Sequence, residues 1–174
     1  MPRSVLACFC MNRSRRQLVI RTLALDLHPR SFGYAVFENA DLLDWGPRKW
    51  PLRQLKTAGS KLCRLFDLWQ PMRLLIREGA PRREYEMAQA VAWNAKVPVV
   101  DVRRAVVQDA FRSSNRLSRF DIAELISERY PELHPRLPAK RKLTENEPFQ
   151  LRMFNATATG MAFLHIPHQQ ANEV

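Results

Sequence analysis

The tightest constraint in this sequence is a spacing. Leu18-Val19-Ile20 and Thr22-Leu23-Ala24-Leu25 make an apolar, β-rich run that ends at Asp26. After the polar break His28-Pro29-Arg30-Ser31, Phe32-Gly33-Tyr34-Ala35-Val36-Phe37 reads as a second strand. Glu38-Asn39-Ala40-Asp41 supplies turn chemistry, and Leu42-Leu43-Asp44-Trp45-Gly46 follows as a third. Parallel neighbours need a crossover of a dozen or more residues. Strands this closely spaced must therefore be antiparallel.

The period then changes. Leu55, Leu62, Leu65, Phe66 and Trp69 recur at helical spacing, predicting a helix over residues 53–69 that Pro71 closes. Arg73-Leu74-Leu75-Ile76-Arg77-Glu78 is a fourth strand, reached by a helical crossover and so parallel to the first. Pro81 opens a second helix with Tyr85, Ala88, Val91, Ala92 and Ala95 on its inner face. Val97-Pro98-Val99-Val100-Asp101-Val102 is a fifth strand, and Arg103 to Phe111 a short helix. Ser118 and Asp121 form the short version of a capping box, ahead of a helix carrying Ile122, Ala123, Leu125 and Ile126. Residues 131–147 read as loop. Pro148 opens a final helix with Leu151, Phe154, Ala158, Met161 and Ala162 inward. The expectation is one α/β domain over residues 17–168. Its mixed five-stranded sheet has strands one to three antiparallel, four and five parallel to the first, and helices on both faces. Residues 1–16 read as a flexible basic lead-in and 169–174 as a tail.

Lys and Arg total 28 against 17 Asp and Glu, a net charge of +11. Such an excess suits a polyanion, because each phosphate neutralised releases condensed counterions. Cys8, Cys10 and Cys63 are scattered and odd in number, which is no disulfide framework and no zinc motif. The chain has no apolar run of membrane-spanning length, and its start does not read as a secretion signal. A reducing cytoplasm is the expected compartment.

Asp26 and Glu78 each end an apolar strand. On adjacent parallel strands both emerge at the carboxyl edge of the sheet, where open α/β sheets place their ligands. Two carboxylates there suit hard divalent cations, and two such ions can activate water and stabilise a leaving oxygen. Either acid alone is more simply a solvated strand end.

At this point a resemblance enters. Asp26-x-x-x-Arg30-x-x-Gly33-Tyr34 after an apolar strand resembles the opening motif of RuvC-type Holliday-junction resolvases, nucleases of the ribonuclease-H-like superfamily. Leu74-Leu75-Ile76-Arg77-Glu78 resembles their second acidic motif, and Val97-Pro98-Val99-Val100 their fifth strand. Phe154-Asn155-Ala156-Thr157-Ala158-Thr159-Gly160 is similar to their closing helix. The resemblance covers residues 18–165. It implies a ribonuclease-H-like fold, a Mg²⁺- or Mn²⁺-dependent endonuclease, structured nucleic acid (DNA before RNA) as partner, and a homodimer. It makes Asp26 and Glu78 catalytic metal ligands, with Asn155 completing the set. There are two departures. His28 stands where the family has Gly, and Asn155 where it has Asp, so the metals lose a negative charge. Glu145 and Glu147 are candidate substitutes, but Glu147 lies about 12 Å along the helix axis from Asn155.

Arg30 and Lys140-Arg141-Lys142 are the candidate phosphate contacts. Asp101 is a loop-capping residue at the end of the fifth strand, His165 and His168 a solvated pair, and Trp45, Trp50, Trp69 and Trp93 packing residues. The alternative to an enzyme is a catalytically inactive nucleic-acid-binding module of the same fold. An actin-like kinase, which also opens on a strand-end Asp, is excluded by the lack of clustered glycines.

Overall fold

In the computed structural model, residues 19–51, 54–112, 117–139 and 148–167 are described. Lys140, Arg141, Lys142, Glu145, Glu147 and His168, and the terminal segments 1–16 and 169–174, lie outside them. The sheet comprises β1 (Arg21–His28), β2 (Ser31–Glu38), β3 (Asp41–Lys49), β4 (Arg73–Arg77) and β5 (Val99–Val102), in the order β3-β2-β1-β4-β5. β1, β2 and β3 pair antiparallel, and β4 and β5 run parallel to β1. The expected topology is the observed one. Two strands are longer than their apolar runs: β1 continues past Asp26 to His28, and β3 reaches Lys49. Hairpin pairing with β2 holds both extensions, as in His28↔Ser31 and Ser31↔Lys49.

Alternation along β1 sorts the core onto two faces. Leu23, Leu25 and Leu27 join Tyr34, Val36, Leu74 and Ile76 under α1 (Leu55–Trp69) and α2 (Arg82–Asn94). Ala24 joins Ala35, Phe37 and Leu75 under α3 (Arg104–Ala110), α4 (Arg119–Arg129) and α5 (Leu151–Leu164). On the first face, Tyr34 donates its hydroxyl to Asp44 at 3.1 Å and accepts from Arg48 at 2.7 Å, while Trp69 Nε1 also donates to Asp44 at 3.1 Å. Burial first, then the Asp44 charge, push the Tyr34 hydroxyl up to about 12, so it stays protonated and ties β2 to β3. The capping box forms: Ser118 Oγ accepts from the Asp121 amide, and Asp121 accepts from the Ser118 amide. Within the stretch read as loop, Pro131–Arg136 makes a turn of 3-10 helix that buries Leu133.

α5 is buried all round and lies across β1 and β2. Small residues allow this. A Cβ on Gly33 would overlap the backbone carbonyl of Arg152, and one on Gly160 would overlap the Phe37 ring. Because Gly33 is the cross-strand partner of Asp26, this close approach brings α5 down at the level of Asp26. Gly33→Ala should therefore force the helix off the sheet, costing about 1–3 kcal/mol or more in urea unfolding. A cost near zero would mean that α5 is free to shift there.

Candidate functional site

Asp26 is an in-strand residue on the α5 face, two positions beyond Ala24, and only 4% exposed. The register decides its neighbour. β1 pairs with β4 through Leu25↔Ile76, so the next position sets Asp26 beside Arg77, not beside Glu78. Arg77 also shares the parity of Leu75 and so faces α5. Its Nη1 donates to Asp26 Oδ1 at 3.2 Å, in a buried ion pair. From α5, Asn155 Nδ2 donates to Oδ2 at 2.9 Å. The carboxylate only accepts, so the amide must turn its nitrogen toward it. His28, two residues along the same strand, places Nε2 3.2 Å from Oδ2.

Burial alone raises the Asp26 carboxyl. The hydrogen bond from His28, the charges of Arg77 and His28 and the Asn155 amide outweigh it, and the group sits below its ordinary value. Asp26 is therefore held as an anion and ringed by donors.

Glu78 stands on the same carboxyl edge, as expected, but it is exposed and one residue out of step with Asp26. Its Oε2 accepts from the Arg104 backbone N–H at 2.8 Å, at the start of α3. Asp26 and Glu78 line one cavity of about 430 Å³ together with Leu27, His28, Arg77, Gly79, Arg104 and Arg119. Of the three residues expected to form a metal site, Asp26 and Asn155 are in hydrogen-bond contact, while Glu78 reaches neither of them by a hydrogen bond.

A hard divalent cation needs oxygen lone pairs aimed at it. Here the Asp26 lone pairs accept from N–H groups, Asn155 offers nitrogen, and a guanidinium lies within hydrogen-bond distance. Among the described residues no group of three or more His, Cys, Asp or Glu could hold a metal ion. The side chains as arranged do not fit Mg²⁺ or Mn²⁺.

The remaining candidates fall elsewhere. Arg30 is exposed on the β1–β2 turn, where its carbonyl accepts from the Trp50 amide at 3.0 Å. Asp101 accepts from the Tyr85 hydroxyl at 3.0 Å. His165 caps α5 in a left-handed conformation. Trp50 is buried, whereas Trp93 is 82% exposed. Sequence reasoning missed Arg77, Arg104 and Arg119. For Arg77 the available signal was its place one residue before Glu78 on a strand paired with β1.

A scan against protein-family models and a search of curated proteins find no match. Solved structures do match. Thermus thermophilus RuvC in complex with a Holliday junction substrate superposes with a TM-score of 0.60 at 11% identity, covering 84% of this chain and 96% of that one. Fowlpox virus resolvase with Holliday junction DNA gives 0.56 at 13% identity, covering 83% and 98%. The chain has the RuvC fold. At such low identity the likeness carries architecture, and the chemistry must be argued from side chains. On this RuvC fold, the edge position beside Asp26 holds an arginine.

Proposed function

We propose that the chain binds structured nucleic acid, DNA junctions foremost, as a non-cutting module of RuvC fold. One observation carries this: Asp26 already accepts from Arg77, Asn155 and His28, with a cation where a second carboxylate is needed. Support for the partner comes from the net charge of +11 and from structural neighbours that are themselves complexes with junction DNA. We place it in the cytoplasm, because its three scattered cysteines suit a reducing compartment; among the described residues no helix is long and apolar enough to cross a membrane. As the family resemblance of its motifs implies, we propose that it acts as a homodimer.

A second reading keeps the nuclease, with Mg²⁺ or Mn²⁺ held by Asp26, Glu78 and Asn155. It is favoured by Asp26 and Glu78 lining the same cavity. It requires Arg77 to leave Asp26, Asn155 to turn its oxygen inward and Glu78 to release Arg104.

A four-way DNA junction separates the two. The expected result is binding that weakens steeply with salt, with no product in either Mg²⁺ or Mn²⁺. Charge reversal at Lys140, Arg141 and Lys142 should lower affinity for all sequences alike, since phosphates carry no sequence. Metal-dependent cleavage lost in Asp26→Asn would establish the nuclease.

A further inference from the structure

The cavity at the carboxyl edge holds more positive than negative side chains. Arg77, Arg104 and Arg119 line it against Asp26 and Glu78, with His28 at one side. Both carboxylates are already engaged, Asp26 by three side-chain donors and Glu78 by the Arg104 backbone amide. The only side-chain hydrogen bond Arg77 makes among the described residues uses Nη1, and its guanidinium is pinned by that bond against the cavity wall. Pinning matters. A guanidinium held in place by a carboxylate has its remaining donors oriented in advance, so less side-chain entropy is lost when they meet a ligand.

We propose that this cavity is a metal-free phosphate site, in which Arg77, Arg104 and Arg119 take a backbone phosphodiester of the bound nucleic acid directly. The inference rests on the nucleic-acid reading and deepens it. The edge of the sheet that would hold cations between two carboxylates presents arginine donors instead, and arginine pairs with phosphate oxygens through parallel N–H bonds. The bond to Asp26 is not given up on binding, because Arg77 has further N–H groups. Asp26 then acts as a positioning residue, holding the guanidinium in place without touching the phosphate. A cavity of about 430 Å³ admits a phosphate with its sugar while leaving the strand free to run along the edge.

The test compares two charge-matched double variants in EDTA. Arg104→Gln with Arg119→Gln removes charge from the cavity. Lys56→Gln with Arg64→Gln removes the same charge from the exposed outer side of α1. Both are checked for native circular dichroism. Binding of a four-way junction and a short oligothymidine is then read against salt. The cavity pair should lose about tenfold or more in affinity and about one in salt slope, with the control pair losing about threefold or less. The Arg77 Nε–H resonance should shift on titration with oligothymidine in the wild type and stay fixed in the cavity pair. Equal losses in the two pairs, or binding that requires added Mg²⁺, overturn the site while leaving a nucleic-acid-binding protein. If the wild type binds no nucleic acid, that reading has failed. The same resonance is then titrated with inorganic phosphate: a saturating shift absent from the cavity pair sustains the anion site, and no shift ends it.

Discussion

Arg77→Met should destabilise the protein by about 3–5 kcal/mol at neutral pH, the cost of leaving a buried carboxylate without its cation. Asp26 would keep the Asn155 amide and His28, but neither carries a fixed charge against a 4% exposed anion. The pH dependence separates this cause from simple loss of packing. In the wild type the Asp26 carboxyl lies below its ordinary value. Its contribution is therefore complete above the unfolded carboxylate range and is lost as pH falls through the lowered folded value. Without Arg77 one of the charges that offset burial is gone and the folded value rises toward the unfolded one, so the variant has less of this contribution to lose on acidification. The gap between wild type and variant should close as pH falls toward the carboxylate range, whereas a packing defect would keep it constant. Arg77→Met combined with Asp26→Asn should recover most of the loss at pH 7, because no charge is left unpaired. Urea unfolding at two pH values reads all of this. A cost below about 1 kcal/mol would place the pair among solvent-exchanged ion pairs and remove the clamp.

Most of the architecture was legible from local pattern. The short breaks between β1, β2 and β3 admit only antiparallel pairing, and the helical crossover to β4 admits only a parallel one. Gly33 was legible only as part of the opening motif; its close approach to α5 is a finding of the structure. Asp26 and Asn155 were also legible as a pair, and they meet over 129 residues of chain. The parity of β4 was not legible. Leu74, Leu75 and Ile76 are buried on both faces, so the run lacks the alternation that tells which of the next two residues points where. Without alternation, Glu78 reads as the strand-end partner of Asp26 because it is the acid nearest the end. Register alone, through Leu25↔Ile76, gives that place to Arg77. Arg104 and Arg119 could not be assigned either, since they come from separate helices whose starts meet the sheet edge only in three dimensions.

Arg77→Glu with Asn155→Asp should turn a site that does not fit a divalent cation into one that does. Asp26 would then face two further carboxylates in place of a guanidinium and an amide. Without metal, like charges in a buried site raise one another's pKa and oppose folding, so the double variant should be several kcal/mol less stable than wild type at pH 7, as judged by ~3–5 kcal/mol for one broken buried pair. Mn²⁺ neutralises the cluster, and ligand binding to the folded state alone restores about 2.7 kcal/mol at a hundredfold excess over Kd. The expected signature is a melting temperature that rises with Mn²⁺ or Mg²⁺ in the double variant and stays flat in the wild type. Asn155→Asp alone should show no metal dependence, because Arg77 can satisfy both carboxylates from one guanidinium and repels the ion. If the variant folds too poorly to melt, Arg77→Gln with Asn155→Asp carries one charge less and gives the same contrast at lower affinity. A wild type stabilised by Mn²⁺ as strongly as the double variant would mean that Asp26 and Glu78 recruit the ion by moving Arg77 aside, and the nuclease reading would then stand in place of the binding module.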